Sequence, residues 1–195
     1  QMYKHLQSLL VLFILSLSFG KLNAQTCDEN IRKALEQTRI TTFAQVTQGA
    51  TGEFVIRYPL AGTKYTLRDQ GGNAYTYTYT GTPVQIAITI PVGAVTTARS
   101  FSFTAENGSC SYSSGFDYTI TPQTTTGLSV RVENEWCNDA GGIYFKMIGA
   151  NTTDYDFYLK NNSDTNYDFS PTKRLAYSGA QTLKAGTYDL MAVLK

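Results

Sequence analysis

From residue 39 onward, apolar and polar residues alternate with the period of two that is typical of β-strands with one buried face. Thr, Val, Ile, Tyr and Phe, which favour strands, dominate these segments, and Gly, Pro and Asn separate them as turn signals. In the first part of the chain the pattern predicts strands at residues 40–47, 53–58, 64–68, 74–80, 84–90, 100–105 and 116–121.

One segment ahead of these strands has a helical pattern instead. Within residues 26–38, Ile31 and Leu35 form an i, i+4 apolar pair, and Thr26 followed by Glu29 has the spacing of a capping box. We therefore predict a short helical lead-in at residues 25–38. The strands that follow predict an immunoglobulin-like β-sandwich at residues 39–121.

After a linker predicted at residues 122–127, the pattern begins again. Gly52 to Tyr65 spans 13 positions, and Gly142 to Tyr155 spans the same number. A repeated module indicates a tandem array. The sequence therefore predicts an all-β chain of tandem immunoglobulin-like sandwiches, with the second at residues 128–195. Six strands are counted in this second copy and the sequence stops within the sixth, so we predict that the second sandwich is truncated.

The first residues have the layout of a secretory signal peptide. Lys4 and His5 form a polar start, residues 9–19 are an apolar run, and residues 22–24 offer a cleavage site before Gln25. The apolar run is too short for a comfortable membrane span. We predict a signal peptide at residues 1–24, a secreted protein, and no transmembrane segment after cleavage; an uncleaved N-terminal anchor is the alternative.

Charge and histidine content exclude several functions. The chain has 16 basic and 15 acidic residues, and loss of Lys4 and Lys21 with the signal peptide leaves a net charge of about −1. Such a chain has no electrostatic footprint for nucleic acid. His5, the only histidine, is lost as well, which excludes Ser-His and Cys-His catalysis and histidine-bearing zinc sites. We predict no catalytic site in this fragment, since the spacing of carboxylates such as Asp154 and Asp156 is not specific.

Three cysteines remain, and in an oxidising compartment they are disulfide candidates first. Cys110 lies nine residues after Phe101, and the same distance after Tyr188 falls beyond the last residue. The repeat therefore predicts a disulfide between Cys27 and Cys110. It assigns Cys137 a partner beyond the fragment.

Two phrases carry a resemblance to a known group of proteins. Residues 105–110 read Ala-Glu-Asn-Gly-Ser-Cys, and residues 183–190 read Leu-Lys-Ala-Gly-Thr-Tyr-Asp-Leu. Together with the signal peptide, they resemble the large cell-surface adhesins and gliding-motility proteins of Bacteroidota, which are cargo of the type IX secretion system. The resemblance implies an N-terminal fragment of an exported, multi-domain adhesin at the bacterial cell surface.

The same resemblance implies β-modules that serve as spacers and contact surfaces. The implied partners are the export machinery and surface glycans or other cell-surface components. The alternative is an accessory β-sandwich region of a secreted polysaccharide-degrading enzyme with its catalytic domain downstream. A third hypothesis is a periplasmic or outer-membrane assembly subunit.

Residues 74–80 read AYTYTYT, which places three tyrosines on one face of a strand. Tyr75, Tyr77 and Tyr79 form either one wall of the core or an exposed strip for stacking on sugar rings. We favour the core wall, because strand propensity explains the alternation without a ligand. The polar side chains placed to bond a sugar are Asp69, Gln70 and Asn73.

One stretch has the alternating oxygen ligands of a calcium loop. The candidate ligands are Asn162, Asp164, Asn166 and Asp168. The loop lacks a glycine at the sixth position, and Lys173 or Leu175 stands where a bidentate glutamate is needed. We therefore favour a polar turn and predict no cofactor, with calcium as the weaker alternative.

Overall fold

A computed structural model of the chain describes residues 26–91, 95–133, 142–176, 181–183 and 186–195. The predicted signal peptide at residues 1–24 and Cys137 with its predicted partner lie outside the described residues. Over the described residues the chain is all-β with a single α-helix, so the predicted fold class is confirmed. The immunoglobulin-like assignment stays a prediction.

Helix α1 spans Glu29–Glu36. We call residues 26–123 the first module and residues 127–195 the second module. The strands of the first module are β1 (Arg39–Thr42), β2 (Gln45–Thr47), β3 (Gly52–Arg57), β4 (Lys64–Asp69), β5 (Ala74–Thr78), β6 (Gln85–Ile90), β7 (Arg99–Asn107), β8 (Cys110–Ser113) and β9 (Tyr118–Gln123). Those of the second are β10 (Gly127–Glu133), β11 (Gly142–Ile148), β12 (Tyr155–Asn161), β13 (Gln181–Thr182) and β14 (Tyr188–Leu194).

Helix α1 begins later than the sequence predicts. Asp28 is its N-cap, and its Oδ1 accepts hydrogen bonds from the N–H groups of Asn30 at 2.8 Å and Ile31 at 3.2 Å. The capping-box prediction for Thr26 is therefore wrong, because aspartate two positions later is the stronger cap and its charge suits a helix N-terminus. Leu35 anchors the helix in the core of the first module.

Two sheets of the first module enclose its core. One has the strand order β1-β3-β6, and the other has β2-β9-β7-β4-β5 with β8 on β7. Neighbouring strands are antiparallel except β2 and β9, which run parallel. Phe54 and Ile88 from one sheet meet Tyr65 and Phe103 from the other in a single hydrophobic cluster. The rings of Phe54 and Phe101 pack edge to face with centroids 5.0 Å apart.

Besides small shifts at other strand ends, the first module differs from prediction in three ways. The strand predicted at residues 40–47 is two strands in different sheets, because the chain crosses over at Phe43 and Ala44. Strand β8 was not predicted, since its sequence, Cys-Ser-Tyr-Ser, carries a weak strand signal. Strand β9 continues into the predicted linker and leaves residues 124–126 as the connection between the modules.

The described strands of the second module repeat part of the strand order of the first, with a shift of one residue in the matching positions. The order β10-β11-β13 matches β1-β3-β6, and the pair β12-β14 matches β4-β7. Phe54 faces the first core and Phe145 the second, so Phe145 is the counterpart of Phe54. The sequence repeat aligns Gly52 with Gly142, and this alignment would instead make Tyr144 the counterpart of Phe54. A shift of one residue moves a side chain to the other face of a strand.

The core of the second module is small. Phe145, Met147 and Phe157 form its buried part, and the rings of Phe145 and Phe157 have centroids 4.7 Å apart. Val130 and Val132 lie on the core-facing side of β10. Val132 is nevertheless 53% exposed, so the described residues cover this side of β10 only in part.

Candidate functional site

The tyrosine row lines the core side of strand β5 and does not form one exposed strip. Tyr79 is 5% exposed and belongs to the core cluster, and Tyr77 is 36% exposed. Tyr75 is half-buried and packs near Phe101, with ring centroids 6.4 Å apart. Only the middle ring therefore offers a large surface to a ligand.

The polar side chains beside this row stabilise the turn between β4 and β5. The buried Asp69 carboxylate accepts hydrogen bonds from the backbone N–H of Asn73 at 2.8 Å and from its Nδ2 at 2.9 Å. It also forms an ion pair with Arg99, which donates a hydrogen bond to the Tyr75 hydroxyl at 3.3 Å. A buried carboxylate needs such partners. Asp69 and Asn73 are thus engaged with the protein itself.

The residues of the calcium candidate lie in a polar segment after β12. Asp168 Oδ1 accepts a hydrogen bond from the backbone N–H of Ser170 at 2.9 Å, and this bond lowers the pKa of the Asp168 carboxyl. In the described parts of the chain, no three His, Cys, Asp or Glu side chains come together as a metal site. Calcium binding by Asn162, Asp164, Asn166 and Asp168 stays the weaker alternative to a polar turn and rests on spacing alone.

The two acidic residues on and before strand β12 have other partners. Asp156 Oδ1 lies 3.4 Å from the Arg174 guanidinium and 4.0 Å from Lys195 Nζ. Asp154 accepts a hydrogen bond from the Asn151 side chain at 3.4 Å. Each carboxylate is therefore paired with a different group.

The predicted disulfide between Cys27 and Cys110 is confirmed. It joins the residue ahead of helix α1 to the first residue of β8 and closes a sequence separation of 83 residues. Helix α1 packs on β7 and β8 beside it. The disulfide thus attaches the helical lead-in to the first module.

The most elaborate polar arrangement lies where the two modules meet, and we call it the joint. It is formed by β1 and β2 of the first module and β10 and β11 of the second. Ser129 Oγ donates a hydrogen bond to the Gln45 carbonyl at 2.7 Å. The Gly149 N–H donates to Thr47 Oγ1 at 3.2 Å. The modules are therefore held by directional bonds as well as by packing.

Two arginines share one buried glutamate in the joint. Arg131 and Glu133 of the second module are both buried, and Arg131 donates to Glu133 Oε1 at 2.8 Å. Arg57 of the first module donates to Glu133 Oε2, also at 2.8 Å. Arg131 further donates to Thr41 Oγ1 at 3.1 Å, and its guanidinium lies 4.0 Å from the ring centre of Tyr144. The buried glutamate charge is therefore compensated from both modules.

Lys146 adds a third cation to the joint, after Arg57 and Arg131. Its Nζ lies 4.5 Å from the ring centre of Phe43, a distance suited to a cation–π contact. Burial lowers the pKa of Lys146, the charge of Glu53 acts in the opposite direction, and Arg131 lowers this pKa further. The joint therefore holds a lysine whose charged form is destabilised by its surroundings.

Sequence reasoning predicted that the second module begins at residue 128 but missed the joint. Along β10 the polar residues Ser129, Arg131 and Glu133 alternate with apolar ones, which ordinarily indicates a solvent-facing polar side. In the structure that polar side is buried against the first module. One signal in the sequence could have indicated a buried ion pair. Arg131 and Glu133 are opposite charges at positions i and i+2, and so lie on the same face of β10.

An exposed apolar surface adjoins the joint, and we call it the Tyr58–Val84 patch. Tyr58 is 54% exposed and Val84 is 74% exposed, and the Tyr58 N–H donates to the Val84 carbonyl at 3.0 Å. Tyr58 has φ of 51°, a left-handed conformation that is uncommon for a bulky residue. The Arg57 guanidinium lies 5.3 Å from its ring centre. The patch thus combines an aromatic ring, an aliphatic side chain and a cation.

Comparison with known proteins does not place this chain in a family. No family model, no curated protein and no solved structure matches it. In the described residues, none of the helices has the length and apolar character needed to cross a membrane.

Proposed function

We propose that this chain is the non-catalytic N-terminal part of an exported, multi-domain cell-surface adhesin whose modules serve as spacers and contact surfaces. The observation that carries the proposal is the joint. A spacer must keep its modules at a fixed angle, and Arg131, Glu133 and Arg57 favour one angle because each buried charge needs its partner in place.

The fold and the disulfide support the same proposal. The two sheets of the first module, with β2 running parallel to β9, are compatible with an immunoglobulin-like sandwich, an architecture common in cell-surface domains. The disulfide between Cys27 and Cys110 suits an oxidising compartment. Two parts of the proposal, export by the type IX system and location at the bacterial cell surface, rest on the sequence resemblance.

The Tyr58–Val84 patch is the proposed contact surface. Exposed aromatic and aliphatic side chains beside a cation suit binding to surface glycans or other cell-surface components. The left-handed backbone at Tyr58 strengthens this choice, since residues in sparsely populated conformations cluster at functional sites.

One observation favours the alternative, an accessory module of a secreted polysaccharide-degrading enzyme. Strand β5 is the end strand of its sheet, and Tyr77 is the exposed member of the tyrosine row on it. A single ring at a sheet edge can stack on one sugar of a polysaccharide.

Adhesion under flow separates the two functions. Microspheres coated with the chain are passed over glycan-coated surfaces, and the uncoupled chain is mixed with insoluble polysaccharides. We expect at least tenfold lower microsphere retention for the variant Tyr58→Asn with Val84→Ser, because asparagine tolerates the left-handed backbone while the patch is lost. The matched control Tyr77→Ser is expected to be retained like the original chain.

Two results would contradict the adhesin proposal. The first is no retention of the original chain on any of these surfaces. The second is depletion of the chain by one polysaccharide together with loss of that depletion in Tyr77→Ser, which would favour the enzyme-accessory function.

A further inference from the structure

A polar segment of the second module leaves strand β12 and then returns to it. Strand β12 ends at Asn161, and the Asp164 N–H donates a hydrogen bond to the Asn161 carbonyl at 2.9 Å. Further along the chain, the Leu175 N–H donates to the Phe157 carbonyl at 2.9 Å. Backbone hydrogen bonds thus fix both ends of residues 162–175, which we call the β12 cover.

The β12 cover packs two aromatic rings on the outer face of β12. Tyr158 alternates with the core residue Phe157 and therefore points away from the core, yet it is buried. The Phe169 ring packs edge to face on Tyr158, with centroids 5.1 Å apart. The Tyr167 ring lies beside Phe169 at an interplanar angle of 22°, with centroids 5.9 Å apart. Phe169 is still 53% exposed, so a ring fixed by two neighbours faces solvent.

Two ion pairs flank these rings. Lys160 follows Tyr158 by two residues on the same face of β12, and its Nζ lies 3.3 Å from Asp189 Oδ2. Asp156 precedes Tyr158 by two residues and pairs with Arg174. The Asp189 and Arg174 side chains are exposed, so a hydrogen-bond acceptor and a hydrogen-bond donor are accessible to a ligand. The two pairs together carry no net charge.

The matching strands of the first module fold with a different outer face. The pair β4–β7 corresponds to β12–β14, and its outward residues Thr66 and Thr104 lie opposite each other. Four residues, 70–73, join β4 to the next strand. This strand pair therefore forms with small polar side chains and a short turn, and the fold does not require the aromatic cover. A segment longer than the fold requires is typical of binding sites.

We propose that the outer face of the second module binds a neutral glycan. The binding surface is formed by Tyr167, Phe169, Lys160, Asp189 and Arg174, and we call it the Phe169 surface. A pyranose ring with equatorial hydroxyls stacks its apolar C–H face on Phe169. Hydroxyls of the same glycan donate to the Asp189 carboxylate and accept from the Arg174 guanidinium.

The charges of the Phe169 surface select the kind of ligand. Acidic glycans and nucleic acids bind where positive charge is in excess, and the two ion pairs balance each other here. The inference rests on the proposed function, because it gives the adhesin a second contact surface. Two weak sites at a fixed distance bind a multivalent surface far more strongly than either does alone, so retention under flow depends on both.

NMR titration of the purified chain with cellohexaose tests the proposal. This probe is uncharged, and all hydroxyls on its glucose rings are equatorial. We expect cellohexaose to shift the ring resonances of Phe169 and Tyr167. Phe169→Leu keeps an apolar side chain against Tyr158 but has no flat ring, so we expect at least about tenfold weaker binding. Phe169→Trp keeps a flat ring and is expected to bind at least as well as the original chain.

Two further variants are matched controls. Phe116, in the connection between β8 and β9, is 48% exposed, which is close to the exposure of Phe169. Phe116→Leu is expected to bind cellohexaose like the original chain. The variant Tyr58→Asn with Val84→Ser, which removes the Tyr58–Val84 patch, is also expected to bind this soluble probe unchanged.

Three results would overturn the inference. The first is no binding of cellohexaose at millimolar concentration by the original chain. The second is equal binding by Phe169→Leu and Phe116→Leu. The third is tighter binding of an acidic chain, oligogalacturonate, than of cellohexaose.

Two results separate this inference from the proposed function. Loss of cellohexaose binding in the Tyr58→Asn, Val84→Ser variant but not in Phe169→Leu would place the sugar on the Tyr58–Val84 patch. That result would overturn the inference and support the proposed function. Binding that depends on Phe169, without retention of coated microspheres on any glycan surface, would support the Phe169 surface and contradict the adhesin function.

Discussion

Arg131 shows how one side chain depends on both modules. Its guanidinium contacts Thr41 of the first module and Glu133 and Tyr144 of the second, and both Arg131 and Glu133 are buried. A buried charge is stable only while its partners are present, because desolvation is costly. The properties of the joint therefore depend on a few ion-pair contacts.

The first prediction concerns Arg131 itself. Arg131→Ala leaves the buried Glu133 with Arg57 as its remaining cation. Removing one member of a buried ion pair typically costs 3–5 kcal/mol, so we expect a loss of about 3 kcal/mol in the free energy of unfolding. Urea denaturation of the purified chain measures it.

A double variant is the control for this prediction. Arg131→Met combined with Glu133→Leu removes both buried charges, while the partly exposed Arg57 side chain keeps access to solvent. We expect a smaller loss than for Arg131→Ala, since no buried charge lacks a partner. An equal loss in both variants would show that packing, and not charge, stabilises the joint.

The second prediction uses the pKa of Lys146. Burial lowers this pKa below the ordinary value of 10.5, so the unfolded chain binds more protons between the two values and stability rises with pH through that interval. Lys146→Met removes the contribution. We expect the variant to be at least as stable as the original chain at pH 7, with the difference shrinking as the pH approaches 10.5.

Urea denaturation at several pH values between 7 and 10 measures this difference. Tyr65 and Tyr118, whose pKa burial raises above 10.0, lower stability at high pH, but both proteins share them. Their effect therefore cancels in the comparison. If the stability difference between Lys146→Met and the original chain grows as the pH rises, the charged form of Lys146 does not destabilise the fold, and the prediction is wrong.

Residue roles were predictable where a repeat or a strand period in the sequence sets them. The pairing of Cys27 with Cys110 followed from the repeat, and the inward side of Tyr75 and Tyr79 followed from strand alternation. The burial of Arg131 was not predictable, because it depends on the surface of the other module. Single-sequence patterns do not contain that contact.

At the scale of elements, Gly52 is the place where strand β3 packs against Ile120 of strand β9. A Cβ atom placed on Gly52 would lie 2.8 Å from Ile120 Cδ1, and Ile90 and Val95 surround the same place. We expect Gly52→Ala to lower the free energy of unfolding by about 1–3 kcal/mol through overpacking. Urea denaturation measures the change.

Gly127 provides the matched control for this prediction. It also begins a strand, β10, but a Cβ atom there would meet nothing within 4 Å. Gly127→Ala is expected to leave stability unchanged or to raise it by less than about 1 kcal/mol, because alanine restricts the unfolded chain. A loss in Gly127→Ala as large as that in Gly52→Ala would rule out overpacking as the cause.

The elements themselves were largely readable from the sequence, and their boundaries less so. Period-two patterns placed β3 to β7 within one or two residues of their ends, because each has a core face and a polar face. The break between β1 and β2 could not be predicted, because residues 40–47 have a continuous strand pattern although the chain passes from one sheet to the other within them. The one-residue shift between Phe54 and Phe145 was also hidden, since β11 has seven residues where β3 has six.

At the scale of the whole molecule, the joint and the linker both connect the modules. The linker, residues 124–126, is short, and its backbone at Thr125 lies against Gly149. Gly149 has φ of 66°, and a Cβ atom there would be 3.3 Å from the Thr125 carbonyl oxygen. The modules are thus held together by close packing at the linker as well as by the ion pairs at Arg131.

The last prediction separates the contribution of the ion pairs at Arg131 from that of linker packing to the angle between the modules. Spin labels at the exposed positions Thr78 and Ser163, in a Cys137→Ser background, report the distance between the modules by pulsed electron resonance. We expect one narrow distance distribution in this background and a clearly broader one after Arg131→Ala, because the buried ion pairs select a single arrangement. Two glycines inserted into residues 124–126 are expected to leave the distribution narrow. If the insertion broadens it and Arg131→Ala does not, linker packing sets the angle between the modules and the joint does not.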